Sequence, residues 1–150
     1  MKYTGPINHY QSVTGFPNVS LAFTSKQIRE EFEKYGIVNA KTFKLKHLPE
    51  KLSEEYLLDY IRGYFDGDGS IYEKRNSVAT SFTCASEEFL REIQMYLKGK
   101  ISLQGGSISP DHNVFQLNYG KYDSLKMCAA FYDNDYLALP RKKEKFNALR

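Results

Sequence analysis

Two carboxylates, Asp66 and Asp68, lie two apart in the stretch Tyr60-Ile61-Arg62-Gly63-Tyr64-Phe65-Asp66-Gly67-Asp68-Gly69-Ser70-Ile71. The residues leading into it are patterned as a helix. Leu57, Leu58, Ile61 and Phe65 share one face, and Tyr56, Tyr60, Gly63 and Gly67 share the opposite one. The acids therefore fall at a helix C-terminus, which is the negative pole of the macrodipole. Ionised carboxylates there ask for a compensating cation, and a hard divalent ion such as Mg²⁺ is the natural candidate.

The glycines carry a second message. Gly63 and Gly67 each cost the helix about 1 kcal/mol relative to alanine. A helix with apolar character on both sides is buried on both sides, and small residues on one side let another backbone come close. Tyr56, Tyr60, Gly63 and Gly67 are thus candidates for a helix–helix interface. Asp-Gly-Asp-Gly is also what an ordinary turn looks like. A turn accounts for the acids and leaves the helix glycines without a reason. An EF-hand loop would put Asp66, Asp68 and Ser70 at positions 1, 3 and 5, but it fails at position 6, Ile71, and at position 12, Ser77.

The elements that position these acids follow from periodicity. Residues 3–23 read as a hairpin around Thr14-Gly15-Phe16-Pro17, with Val19, Leu21 and Phe23 alternating. Thr24-Ser25-Lys26-Gln27 resembles a capping box, after which Ile28, Phe32 and Tyr35 recur at helical spacing until Gly36. Residues 37–52 read as a linker. A helix is expected from Ser53 to about Phe65, then strands over 69–75 and 77–84, and a helix from Ser86 to Lys98 closed by Gly99. Strands over 100–104 and 113–119 flank a turn at Ser109-Pro110-Asp111, and helices over 122–132 and 141–149 follow. From residue 53 the order is αββαββα, an α+β unit on an antiparallel sheet. Val78, Thr80, Phe82 and Cys84 take one face of a strand and Ser77, Ala79, Ser81 and Thr83 the other. A polar sheet face is the ordinary solvated side of such a sheet, or a reader of the DNA major groove.

With 150 residues, 41% hydrophobic and 26% charged, the chain has room for one globular domain or a compact unit with an appendage. The net charge of +3 decides nothing by itself, but Arg141, Lys142, Lys143, Lys145 and Arg150 crowd the last ten residues against Glu144 alone. Twelve Tyr and ten Phe with no Trp suit polar ligands and aromatic cores equally. Cys84 and Cys128 form neither a disulfide framework nor a zinc spacing, and both sit among apolar neighbours. No stretch is apolar enough to span a membrane and no signal-peptide core opens the chain, so a soluble intracellular protein is expected, in a bacterial or phage cytoplasm or an organelle.

Ile61 to Gly69 resembles the nine-residue motif of the LAGLIDADG homing endonucleases, in the form Arg-Gly-Tyr-Phe-Asp-Gly-Asp-Gly-Ser, and the αββαββα order of residues 53–150 is similar to that family's repeat. The resemblance implies a nuclease that lays a curved antiparallel sheet along double-stranded DNA and makes a staggered cut. It implies that Gly63 and Gly67 pack two motif helices together, that Asp68 binds the metal with the Gly69 carbonyl, and that Asp66 caps or packs. Leu139-Pro140-Arg141-Lys142-Lys143-Glu144-Lys145-Phe146 resembles the family's basic segment, which gives Lys142 a place near the scissile phosphate. Ser86 stands about where a polar residue holds active-site water. Candidates for DNA contact are Lys74, Arg75, Ser81, Thr83, Lys100, Gln104, Gln116, Asn118 and Lys143.

Residues 1–50 resemble the back half of a preceding repeat, with Lys41 in Ala40-Lys41-Thr42-Phe43 matching Lys142, and 53–150 resemble a complete one. The motif helix of the first repeat is missing. Family sites take acids from two motif helices, so one chain is expected to need a second, as a homodimer joined through this helix. The competing expectation is a catalytically inactive DNA- or RNA-binding relic or a maturase-like splicing factor.

Overall fold

The computed structural model describes residues 7–11, 15, 17–21, 24–35, 45–74, 76–133 and 138–150. The candidates Lys41 and Arg75 lie outside the described residues. An antiparallel hairpin of β1 (Ile7–Gln11) and β2 (Pro17–Leu21) precedes helix α1 (Lys26–Lys34). Ser25 caps α1 by accepting from the Ile28 amide at 3.3 Å, so the cap stands one residue later than the Thr24–Gln27 pattern suggests.

From residue 54 the order is α2 (Glu54–Asp68), β3 (Gly69–Glu73), β4 (Val78–Cys84), α3 (Glu87–Ile101), β5 (Ser107–Asp111), β6 (Val114–Tyr119), α4 (Lys121–Tyr132) and α5 (Pro140–Leu149). The strands form one antiparallel sheet in the order β3-β4-β6-β5. The expected α+β unit is present. Directly paired residues share a face, so Gly69, Phe82, Leu117 and Ile108 form one row on the helix side, and Ser70, Ser81, Asn118 and Ser107 form a row on the other. The helix side carries the core. Phe65 of α2 packs on Phe82 at 4.9 Å between ring centroids and on Phe131 of α4 at 5.7 Å. Thr80, fully buried on this side, meets Ser124 Oγ at 3.0 Å, and Ser124 in turn donates to the Tyr119 carbonyl.

Two expectations need correction. Residues 100–104 are not a strand. Helix α3 runs on to Ile101 and stops at Ser102, which is left-handed (φ 52°). The Ile101–Leu103 alternation was too short to separate a strand from a helix end. Lys100 therefore leaves the sheet and pairs with Glu54 at 3.7 Å, and Gln104 lies in a loop where its amide donates to Asp123 at 3.0 Å. Neither one stands on a face of the sheet. The turn expected at Ser109-Pro110-Asp111 is instead strand β5, and the reversal comes at His112 (φ 55°). Proline is tolerated because β5 is an edge strand, where a missing N–H costs no ladder bond.

The polar side of the sheet is also more closed than its composition suggests. Tyr72 of β3 reaches across β4 to hydrogen-bond Asn118 of β6 at 3.4 Å. Its ring thereby covers the intervening strand, and Ser81 is only 6% exposed. Gln116 donates to Asp111 at 2.7 Å. Of the expected contact residues on this face, Thr83, Gln116 and Asn118 are half-exposed and Ser81 is covered, while Lys74 is exposed on the turn after β3.

Candidate active site

Helix α2 delivers both acids to its C-terminal end, but they do different things. Asp66 accepts from Tyr132 Oη at 2.8 Å through one oxygen and from the Leu139 amide at 3.1 Å through the other. Tyr132 ends α4 and Leu139 immediately precedes α5, so one carboxylate fastens three helices together. Burial, followed by the bond to Asp66, raises the Tyr132 hydroxyl well above the ordinary tyrosine range, which keeps it a donor. Asp66→Ala should leave both donors without their acceptor and cost about 2 kcal/mol. A thermal melt checks this, with an expected fall in midpoint of about 5 °C for a domain of this size.

Asp68 is the last residue of α2 and is exposed. It lines a cleft of about 390 Å³ together with Leu45, Tyr64, Thr83, Cys84, Ala85 and Val114. Tyr64 forms a firm wall, with its hydroxyl donating to the Thr83 carbonyl at 2.7 Å and its ring edge-on to Phe89 at 5.0 Å. Leu45 comes from the linker region, whose end is pinned to α3. The Leu48 amide donates to Glu92 at 2.7 Å, and His47 Nδ1 lies 2.7 Å from the same carboxylate. That linker wall was not foreseen from sequence, because the pinning pairs residues 44 and 45 positions apart.

Lys142 departs most from expectation. It is 3% exposed, lying beneath the end of α2. Its ammonium donates to the Phe65 carbonyl and, at 2.5 Å, to the Gly69 carbonyl, and sits 4.6 Å from the Phe65 ring centroid. The cation at the negative end of α2 is therefore this lysine. Burial, then the neighbouring Arg141 charge, pulls its pKa down to about 8. Gly69 must be glycine for packing reasons, since a Cβ there would lie 2.6 Å from the Phe65 carbonyl oxygen and overlap its ring.

Lys142 does not face the Asp68 cleft. It lines a second one, of about 290 Å³, with Gly69, Ser70, Ile71, Arg141 and Lys145. Ser86 is occupied as the cap of α3, accepting from the Phe89 amide at 3.2 Å and donating to Glu88 at 3.0 Å. Cys84 and Cys128 are buried free thiols, and burial pushes Cys128 up to about 12, which leaves it unreactive near neutral pH.

Donor chemistry tests the fit of a divalent metal. Among the described residues, no three His, Cys, Asp or Glu side chains gather. The exposed Asp68 carboxylate suits a hard cation. The Gly69 carbonyl does not while the Lys142 ammonium holds it, so the expected pairing of Asp68 with Gly69 is not ready in this arrangement. Among the described residues lining this cleft there is one carboxylate, enough for an ion that keeps its waters and takes phosphate oxygens, and too little for a closed cage.

On the outer side of α2, a Cβ added at Gly63 or Gly67 would meet nothing within 4 Å. Tyr56 on the same side is 56% exposed, and Tyr60 is half-buried. On the inner side Arg62 is nearly buried, 3.1 Å from Asp59.

Comparison with known proteins gives partial matches. Over 42 residues the chain is 45% identical to elongation factor 2 of Methanopyrus kandleri, a match that covers 28% of this chain and only 3% of that protein. A solved homing endonuclease, I-TnaI, is 22% identical with a TM-score of 0.39, covering 62% of this chain and 68% of its own, a likeness too loose to bear on function. No helix among the described residues is long and apolar enough to cross a membrane. The family model of a LAGLIDADG-like domain matches residues 55–101, which hold α2, β3, β4 and α3. Residues 55–101, which carry both acids and both helix glycines, are thus similar to a LAGLIDADG-like domain.

Proposed function

We propose that this chain is a DNA endonuclease of the LAGLIDADG homing type, hydrolysing phosphodiester bonds with a divalent cation and working as a pair of chains joined through α2. The observation that carries this reading is the state of α2. Its glycine face is open, and Asp68 is exposed at the end of that same helix. Thr83 and its cross-strand partner Gln116, with Asn118 on the same face, would supply hydrogen-bonding groups to base edges. Lys74 and Lys143 would meet phosphates. A bound divalent ion would polarise the phosphate being cut, and Asp68 would hold it. Asp66 fixes the approach of α4 and α5, and Lys142 neutralises the helix end so that Asp68 does not face the full carbonyl dipole. The hairpin and α1 read as the back half of a first repeat, and residues 53–150 as a complete one.

A second reading is an inactive nucleic-acid-binding relic. It is favoured by the single carboxylate among the described residues that line the Asp68 cleft. A randomised duplex library incubated with Mg²⁺, with and without chelator, separates the two. Double-strand breaks only with free Mg²⁺ support the nuclease, and retention of DNA with no breaks under any divalent ion supports the relic.

A further inference from the structure

Leu45 does two things at once. It is buried as part of the core, and it also forms one wall of the Asp68 cleft. The other walls are held by regular elements, with Tyr64 and Asp68 on α2, Thr83 and Cys84 on β4 and Val114 on β6. Residues 45–48 lie in neither a helix nor a strand. Among the described residues, their hydrogen bonds all run to a single side chain, Glu92 on α3.

The two oxygens of that carboxylate are divided. One accepts from the Leu48 amide at 2.7 Å, and the other stands 2.7 Å from His47 Nδ1. The side chains of His47 and Glu92 are 64% and 37% exposed, so their contact is open to water and contributes little. The amide bond is charge-assisted and partly buried, and it carries the hold. Apolar contact does the rest, through Leu45 and through Leu48 packed against the core. Segments with so few backbone bonds are where a fold opens locally.

We propose that residues 45–48 are a strap that opens and closes the back of the Asp68 cleft, and that Glu92 is the latch that holds it shut. Asp68 itself is exposed, so the strap governs the apolar part of the cleft, along Tyr64 and Cys84. Closed, it keeps water from that wall. Open, it gives the cleft room for a bulkier group beside the acid. As regulation of a phosphodiester-cutting site the strap rests on the nuclease reading above, whereas the latch itself does not.

The chain carries its own reporter of the motion. Cys84 is a free thiol, buried and lining the cleft, while Cys128 is a free thiol fully buried elsewhere in the core. The test is the rate at which a maleimide labels each thiol under native conditions, in the wild type, in Glu92→Ala and in Glu92→Gln. Wild-type Cys84 should label slowly. Glu92→Ala should speed it by about tenfold, the worth of one hydrogen bond to a charged group, and leave Cys128 unchanged. Glu92→Gln keeps an oxygen for the Leu48 amide and should restore most of the protection. No gain at Cys84 in Glu92→Ala overturns the latch, as does a Glu92→Gln variant that labels equally fast. A wild-type Cys84 that labels like an exposed thiol overturns the strap. An equal gain at Cys128 makes the effect a loosening of the whole core and also overturns the proposal. The labelling needs neither DNA nor metal, so failure of the nuclease reading shows in the chelator experiment and not here.

Discussion

Replacing Asp68 by asparagine should abolish Mg²⁺-dependent cleavage while leaving the fold and DNA binding intact. Asp68 is exposed at the end of α2, so its charge contributes little to the core. Its geometric partner in the motif, Asp66, carries the structural bonds to Tyr132 and Leu139 instead. The asparagine is nearly isosteric, and removing a negative charge near phosphates does not weaken attraction to DNA. What is lost is the anionic ligand for a divalent ion. Lewis-acid stabilisation is worth several kcal/mol, and each 1.4 kcal/mol is tenfold, so the rate should fall by about 100-fold or more. Single-turnover cleavage and filter binding on the same preparations check both halves. A variant that still cuts in response to metal would remove Asp68 from the mechanism.

The second large effect concerns Gly63. In one isolated chain this glycine has no packing reason to be there, since an added Cβ meets nothing within 4 Å. Gly63→Leu should therefore stabilise the monomer by about 0.8 kcal/mol through helix propensity alone, raising its melting midpoint by about 2 °C. If two copies of α2 meet across this face, the same leucine pushes them apart, and in a twofold interface it acts twice. The expected result is a chain that fails to pair and does not cut, and that melts higher than the wild type at a dilution where both are single chains, since above it pairing itself stabilises the wild type. Loss of activity with a lower melting point would mean damage to the fold instead, and full activity would take the glycine face out of the assembly.

How much of this was legible in the sequence depended on whether the signal was local. The α2 motif was readable because helical periodicity, paired glycines and adjacent acids all lie within nine residues. The order of elements from 53 onward was readable from apolar spacing for the same reason. The 100–104 segment was misread because two alternating apolar residues fit a helix end as well as a strand. The Ser109–Asp111 segment was misread because proline signals a turn unless one knows the strand lies at an edge. The resemblance puts Lys142 near the scissile phosphate, and only tertiary packing reveals it buried under α2. The Asp66 tie to Leu139 and the Tyr72 bridge over Ser81 join residues 73 and 46 positions apart, which no periodicity encodes.

The pairing of two chains is the claim on which the rest depends, because the described residues of one chain bring one acid to the Asp68 cleft. Sedimentation velocity of the wild type at micromolar concentration, alone and on a cleavable duplex, measures it directly. The account predicts two chains per duplex, with the Gly63→Leu variant remaining a single chain under both conditions. A wild type that stays strictly monomeric on and off DNA would contradict it and make the inactive relic the better description.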